Sequence, residues 1–302
     1  MRIVFIGAVD FSYHCLEIIL GEGANVVAIF NPENQSARLN SDYADLAPLA
    51  DEYKVPLHRI AKIRDESTID LIRSLQPDII FVFGFSQLIP KQVLDIPPMG
   101  CVGTHPALLP RNRGRHPLIW ALVEGLSESG LTFFYLDEGA DSGDILWQKS
   151  FPITMDDDAG SLYVKIKALA SQGIKEFLPN LQNGTALRLQ QDHSRASYWR
   201  KRTEADGLIN WNNSALSIYN LVRALTSPYP GAHTFIEGKR VTILKCRIES
   251  MQPAGTKLPG EILAETSDGF FVQCGDGILE ILLWNVAQDF QLRTGGKLGL
   301  KI

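Results

Sequence analysis

Of the 302 residues only four are cysteine, Cys15, Cys101, Cys246 and Cys274, and no two of them form a C-x-x-C pair. That spacing excludes the usual zinc-ribbon and dithiol redox designs. Isolated thiols in apolar or turn contexts read as reduced, mostly buried side chains of a cytoplasmic protein. No run reaches the ~18 apolar residues of a membrane span. The start, MRIVFIGAVDF, enters a strand-like run without the apolar core and cleavage site of a secretory leader, so neither export nor membrane insertion is expected. Positive charge is scarce too: 29 Lys plus Arg against 34 Asp plus Glu leave a net charge of −5, the wrong sign for a chain whose main partner is a polyanion. The six histidines, at 14, 58, 105, 116, 193 and 233, hold no H-x-x-x-H pair, so no metal is expected. G-x-S-x-G is missing, which speaks against an α/β-hydrolase triad. The first strand-to-helix turn, FIGAVDFS, carries a single glycine, which speaks against a nicotinamide dinucleotide.

What is present is a change of texture along the chain. RIVFI and ANVVAIF are continuous apolar runs with β-branched residues, and FSYHCLEIILGEG between them places Phe11, Cys15 and Ile18 on one helical face before a glycine stop. SDYADLAPLADEYK predicts a helix capped at Ser41 or Asp42. A helix in STIDLIRSLQ and strands in DIIFVFGF and GCVGTH follow. HPLIWALVEGL reads as a helix, GLTFFYLDEGADSGDILWQKSFPI as two strands around an acidic glycine loop, and SLYVKIKALASQGIKEFLPNLQNG as a long amphipathic helix. Such alternation is the pattern of parallel strands joined by crossover helices. Past Gly184, QQDHSRASYWRKRTEADG is polar and suits an exposed connection. Beyond it, SALSIYNLVRALTS is a helix stopped by PYPG, and the remaining short strands between glycine turns suggest a small barrel. The boundaries fall at 1–188, a linker at 189–206, and 207–302.

His105 ends the strand GCVGTH, and the carboxyl ends of parallel strands are where ligands bind. The next loop supplies Asp137, Glu138, Asp141 and Asp144. A carboxylate facing His105 would fix its tautomer and make a proton-handling pair; acids that merely solvate a turn are an equal alternative. Arg111, Arg113 and Arg115 alternate beside the histidine, either as a solvated loop or as a phosphate or carboxylate site at the crevice mouth. The helix N-terminus after Asp10 offers main-chain donors to an anion, or is a plain turn.

GTHPALLPRNRGRHPLIWAL followed by LDEGADSGDI resembles the folate-dependent formyltransferases, whose pattern is N-x-H, a leucine-leucine-proline turn, an R-G step and, further on, an Asp in a D-x-G loop. FGFSQLIP resembles the folate-proximal segment of that family. EADGLINWNNSALSIYNLVRALTSPYPGAHTFIEGKRV resembles the start of the C-terminal barrel of methionyl-tRNA formyltransferases and of the formyltransferases acting on UDP-4-amino-4-deoxy-arabinose. The resemblance implies an α/β fold: a Rossmann-like formyltransferase domain with a mostly parallel sheet, then a small OB-like β-barrel domain. It implies His105 and Asp141 as the catalytic pair. It also implies a pterin of 10-formyltetrahydrofolate cradled by Phe85, Gln87, Leu88 and Ile89 with Asp137, Glu138, Gly139 and Ala140. One position departs: Gly103 stands where the family has its catalytic Asn. In the family mechanism a neutral amine attacks the formyl carbon and Asn and His stabilise the developing oxyanion, so a lost donor costs ~10² to 10³ in rate. Asn112 is the first candidate to stand in, with His116 or a bound water behind it.

The tRNA-acting members resemble one another in a basic loop after the second strand, and here that segment, FNPENQSARLNSDYADLAPLADEYK, is nearly free of basic residues. With the acidic balance, this predicts a nucleotide-linked amino sugar as acceptor. Its diphosphate would meet Arg111, Arg113, Arg115 and the helix N-terminus at Asp10 and Phe11; a nucleic-acid partner is disfavoured and a homodimer left open. Methionyl-tRNA formyltransferase is the alternative, and Gly103 keeps an inactive folate- or nucleotide-sugar-binding homologue as a third reading.

Overall fold

The computed structural model describes residues 1–33, 42–286 and 292–299. Two compact units emerge: 1–117 with 129–151 and 164–199, and 118–128 with 152–163 and 200–302.

In the first unit the apolar runs become strands covered on both faces. The chain runs β1 (Ile3–Gly7), α1 (Asp10–Gly21), β2 (Val26–Pro32), α2 (Ala47–Tyr53), β3 (Leu57–Ile60), α3 (Glu66–Ser74), β4 (Ile79–Phe83), α4 (Lys91–Leu94) and β5 (Cys101–His105). It continues through β6 (Arg113–Gly114), α5 (Pro117–Val123), β7 (Glu128–Tyr135), β8 (Ile145–Pro152), α6 (Ala159–Gln182) and β9 (Tyr198–Trp199), of which α5 beyond Pro117 and the start of α6 fall in the second unit. The seven-stranded sheet has the order β3-β2-β1-β4-β5-β7-β8, parallel from β3 to β5, with β7 antiparallel to β5. Strand order reverses beside β1, which makes the carboxyl ends of β1 and β4 the switch-point crevice of an open α/β sheet.

On α1 the buried face is Phe11, Ser12, Cys15, Leu16, Ile19 and Leu20, while Ile18 lies at its margin. The α2 helix starts later than its acidic cap signals suggest. Asp42 precedes it by several residues, Ser41 lies outside the described residues, and Pro48 occupies the first turn, where its missing N–H costs nothing. Gly84, leaving β4 at φ +61°, has no alternative: a Cβ there would stand 2.4 Å from Val9 Cγ2 and 2.6 Å from Ser12 Oγ.

In the second unit, Ser214 caps α7 (Ala215–Leu225) by accepting from the Ser217 N–H. The buried Arg223 of α7 donates to the carbonyls of Thr154 and Asp157, which ties segment 152–163 to this unit. Strands β10 (Ala232–Ile236), β11 (Lys239–Ser250), β12 (Ile262–Glu265), β13 (Phe270–Gln273) and β14 (Ile278–Val286) form an antiparallel sheet ordered β10-β11-β14-β13-β12. Bridges from Phe235 to Gly299 and from Glu261 to Lys297 bring both sheet edges onto one segment, as barrel closure requires. All four cysteines are buried and free. Burial pushes the Cys101 and Cys274 thiols up to about 12, so they stay protonated and unreactive.

Candidate active site

His105 is the last residue of β5 and only 4% exposed. Its Nε2–H donates to the Asn112 carbonyl at 2.7 Å. On its other side, Nδ1 faces Asp141 Oδ2 at 3.6 Å, too far for a hydrogen bond. That oxygen instead accepts the Gly114 N–H at 2.8 Å. The histidine and the aspartate are therefore neighbours, each held by main chain. With the Nε2 proton committed to Asn112, the space between Nδ1 and the carboxylate is where one further proton can be received and its charge balanced.

The main-chain atoms that hold both side chains belong to one tripeptide, Asn112–Arg113–Gly114. Asn112 at φ +62° and Gly114 at φ +106° break the alternation of an ordinary strand. A Cβ on Gly114 would lie 2.2 Å from the Trp199 carbonyl oxygen, so only glycine permits β6 to pair with β9. Arg113 N–H donates to the Ser197 carbonyl at 2.9 Å and Arg115 N–H to that of Trp199 at 3.1 Å.

This geometry corrects the arginine trio. In a regular strand residues 111, 113 and 115 would share a face; here Arg111 and Arg115 are exposed while Arg113 is 1% exposed. Its guanidinium donates to Tyr198 Oη at 2.8 Å, Gln191 Oε1 at 2.7 Å and His193 Nδ1 at 3.1 Å, and its Nε–H has no partner among the described residues. Arg115 lies near the Ser86 carbonyl at 3.4 Å. Three arginines facing one diphosphate are not present.

The α1 N-terminus is corrected as well. Ser12 Oγ takes the N–H groups of Ala8 and Val9 and donates to the Phe83 carbonyl, while the Asp10 N–H is used by the Asp42 carbonyl. Asp10 itself pairs with Lys167 at 2.6 Å. With the Asp10 N–H taken by the chain and a carboxylate in the first turn, this end of the helix is ill suited to an anion; Phe11 is part of the core.

Of the cradle residues, Gln87 spends its amide on the Ile63 N–H and Ala61 carbonyl, Ile89 is buried, and Phe85 packs partly against the core. Leu88 is 81% exposed. Asp137 accepts from Gly139 N–H and Ser142 Oγ. Glu138 pairs with Lys91 at 2.8 Å, which brings the segment after β4 together with the 137–140 loop. Ala140 is exposed beside them. Gly103, between Val82 and Phe134, has its side-chain direction filled by Leu136, whose Cδ2 is 2.5 Å from where a Cβ would stand. Asn112 Oδ1 accepts from Ser197 Oγ at 3.2 Å.

Gln191, His193, Ser197 and Tyr198 come from the segment read as a linker. The aromatic pair Tyr198–Trp199 inside a polar stretch was the available signal for a short strand; nothing local marks Gln191.

Residues 1–178 match the formyl transferase family and 201–289 match its C-terminal domain family. The chain belongs to the folate-dependent formyltransferases. Methionyl-tRNA formyltransferase of Citrifermentans bemidjiense is 36% identical over 100% of this chain and 97% of its own length. That of Trichlorobacter lovleyi is 38% identical over 93% and 88%. An N-formyltransferase of Helicobacter canadensis, solved with folinic acid and dTDP-3-aminofucose, shares the fold at TM-score 0.72 and 20% identity, covering 93% of this chain and 99% of that one. The relatives overturn the expectation of a nucleotide-linked amino sugar and, with it, the case against a nucleic-acid partner. Whole-chain charge misled because binding to nucleic acid depends on the charges that face phosphates and not on the sum. Residues 34–41 of the segment read as nearly free of basic residues lie outside the described residues. The formyltransferase takes its one-carbon unit from 10-formyltetrahydrofolate.

Proposed function

We propose that this formyltransferase formylates the amine of methionyl-tRNA. The observation that carries the reading is kinship of 34–38% identity over nearly the whole chain with methionyl-tRNA formyltransferases. In this reading the acceptor amine attacks the formyl carbon as the free base, and its proton is received at His105 Nδ1 with Asp141 balancing the imidazolium. Collapse of the tetrahedral adduct would break the bond from that carbon to the folate nitrogen, which would leave as an amine carrying the proton His105 returns. Asn112, its Oδ1 turned to Ser197, supplies the amide donor to the developing oxyanion that Gly103 lacks. The bound folate supplies the formyl group. Its flat ring would be covered by Leu88, an apolar side chain held outside the core, beside Phe85 and the 137–140 loop, whose acids already have partners.

Gly103 favours a second reading, a folate-binding chain that has lost transfer. Incubation with 10-formyltetrahydrofolate and methionyl-tRNA decides: formation of formylmethionyl-tRNA is expected. Folate binding with no turnover would establish the second reading instead.

A further inference from the structure

The tripeptide 112–114 holds His105 through the Asn112 carbonyl and Asp141 through the Gly114 N–H. Between those two atoms, the Arg113 side chain is anchored in the interior, and its anchor leads to Gln191, itself only 3% exposed. Gln191 Oε1 accepts from Arg113 Nη2 at 2.7 Å, and Nε2 donates to two carbonyls, Asp141 at 3.0 Å and Gly143 at 2.6 Å. One amide thus ties the guanidinium behind the histidine's acceptor to the loop that carries the aspartate. Asp141 is a residue at φ +55°, a conformation that needs such support.

We propose that Gln191 is a positioning residue: by clamping the 141–143 backbone against Arg113 it sets the separation of His105 and Asp141. Its kinetic consequence rests on the formyltransferase reading of the site. The competing explanation is that Gln191 only satisfies a buried guanidinium, and the two come apart chemically. Glutamate has the same shape and offers Arg113 a stronger acceptor. It has no N–H for the Asp141 and Gly143 carbonyls and would turn a carboxylate oxygen toward them.

The test is Gln191→Glu in the full chain. If that variant does not fold, Gln191→Met is compared with its parent on an Arg113→Met background, where no guanidinium remains to be satisfied and only the bonds to the Asp141 and Gly143 carbonyls are left to lose. The expected result is a kcat reduced about tenfold or more with both KM values within about twofold of the parent. Amide hydrogen exchange of residues 141–144 should rise about tenfold while the rest of the sheet exchanges as before. Parental kcat, parental exchange, or a change in one without the other overturns the proposal. Should the parent show no transfer, the functional reading fails and the exchange result alone decides for or against the clamp.

Discussion

His105 and His233 are buried to nearly the same degree, 4% and 5% exposed, and both lie on strands. Their surroundings differ. His105 sits at a strand end, one nitrogen spent on a carbonyl and the other facing a carboxylate across a gap. His233 sits inside β10, paired with Thr242 and edge-on to Phe235. Desolvation first, and then the Arg240 guanidinium, hold its pKa below the ordinary value against the opposing pull of Glu204. One ring faces a carboxylate across a gap, and the other lies where desolvation and a neighbouring cation favour its neutral form. Burial and strand position are alike in the two rings; the charged groups they face are not.

The comparison is broken most directly by exchanging the rings for amides. His105→Gln and Asp141→Asn should each lower formyl transfer by about 10² to 10⁴, and the double variant should be little worse than either single one, because the two act as a unit. His233→Gln should leave kcat within about threefold. Steady-state kinetics of the four proteins checks this, and equal losses at 105 and 233 would erase the distinction.

Arg113→Met sharpens the contrast by removing the anchor that only His105 depends on. It leaves Gln191 Oε1 without its donor in a dry interior and should cost about 1–3 kcal/mol in denaturant unfolding. Gly103→Asn should lower turnover about tenfold, since Leu136 must give way in a site built to sub-ångström tolerance. Adding Leu136→Ala should return part of that loss, and a gain in turnover from the single change would show an impaired site waiting for its amide.

The smallest effect concerns pH. Because the folded pKa of His233 lies below its unfolded value, the unfolded chain takes up the proton first. Stability contributed by the neutral ring is therefore intact above the ordinary value of ~6.5 and is lost as pH falls toward the folded pKa. His233→Gln should flatten the decline of the unfolding free energy between about pH 7 and 5, measured by denaturant titration, by less than about 1 kcal/mol. His14, also lowered by burial, keeps its own share of the slope.

Much of the architecture was legible because it is encoded locally. Continuous β-branched runs mark strands buried on both faces, the shift from those runs to helical periodicity marks βαβ units, and glycine turns between short strands mark the barrel. His105 at a strand end and the acidic loop after β7 were legible for the same reason. The inward turn of Arg113 was not, because it follows from left-handed backbone at Asn112 and Gly114 and from a close approach to Trp199. The acceptor was misread from the net charge and from one segment short of basic residues, because neither tells which side chains of the folded chain face a ligand.

From residue order alone came the alternation of elements, the domain textures, and the presence of one histidine and one acidic loop at the carboxyl edge of a sheet, since each depends on neighbours a few residues apart. Tertiary structure alone decided that Arg113 lies inside, that Gln191 reaches it across 78 residues of chain, and that His105 and Asp141 face each other without a direct bond. Those arrangements are set by hydrogen bonds between distant segments, and no local propensity or period carries information about which distant partner a buried donor will find.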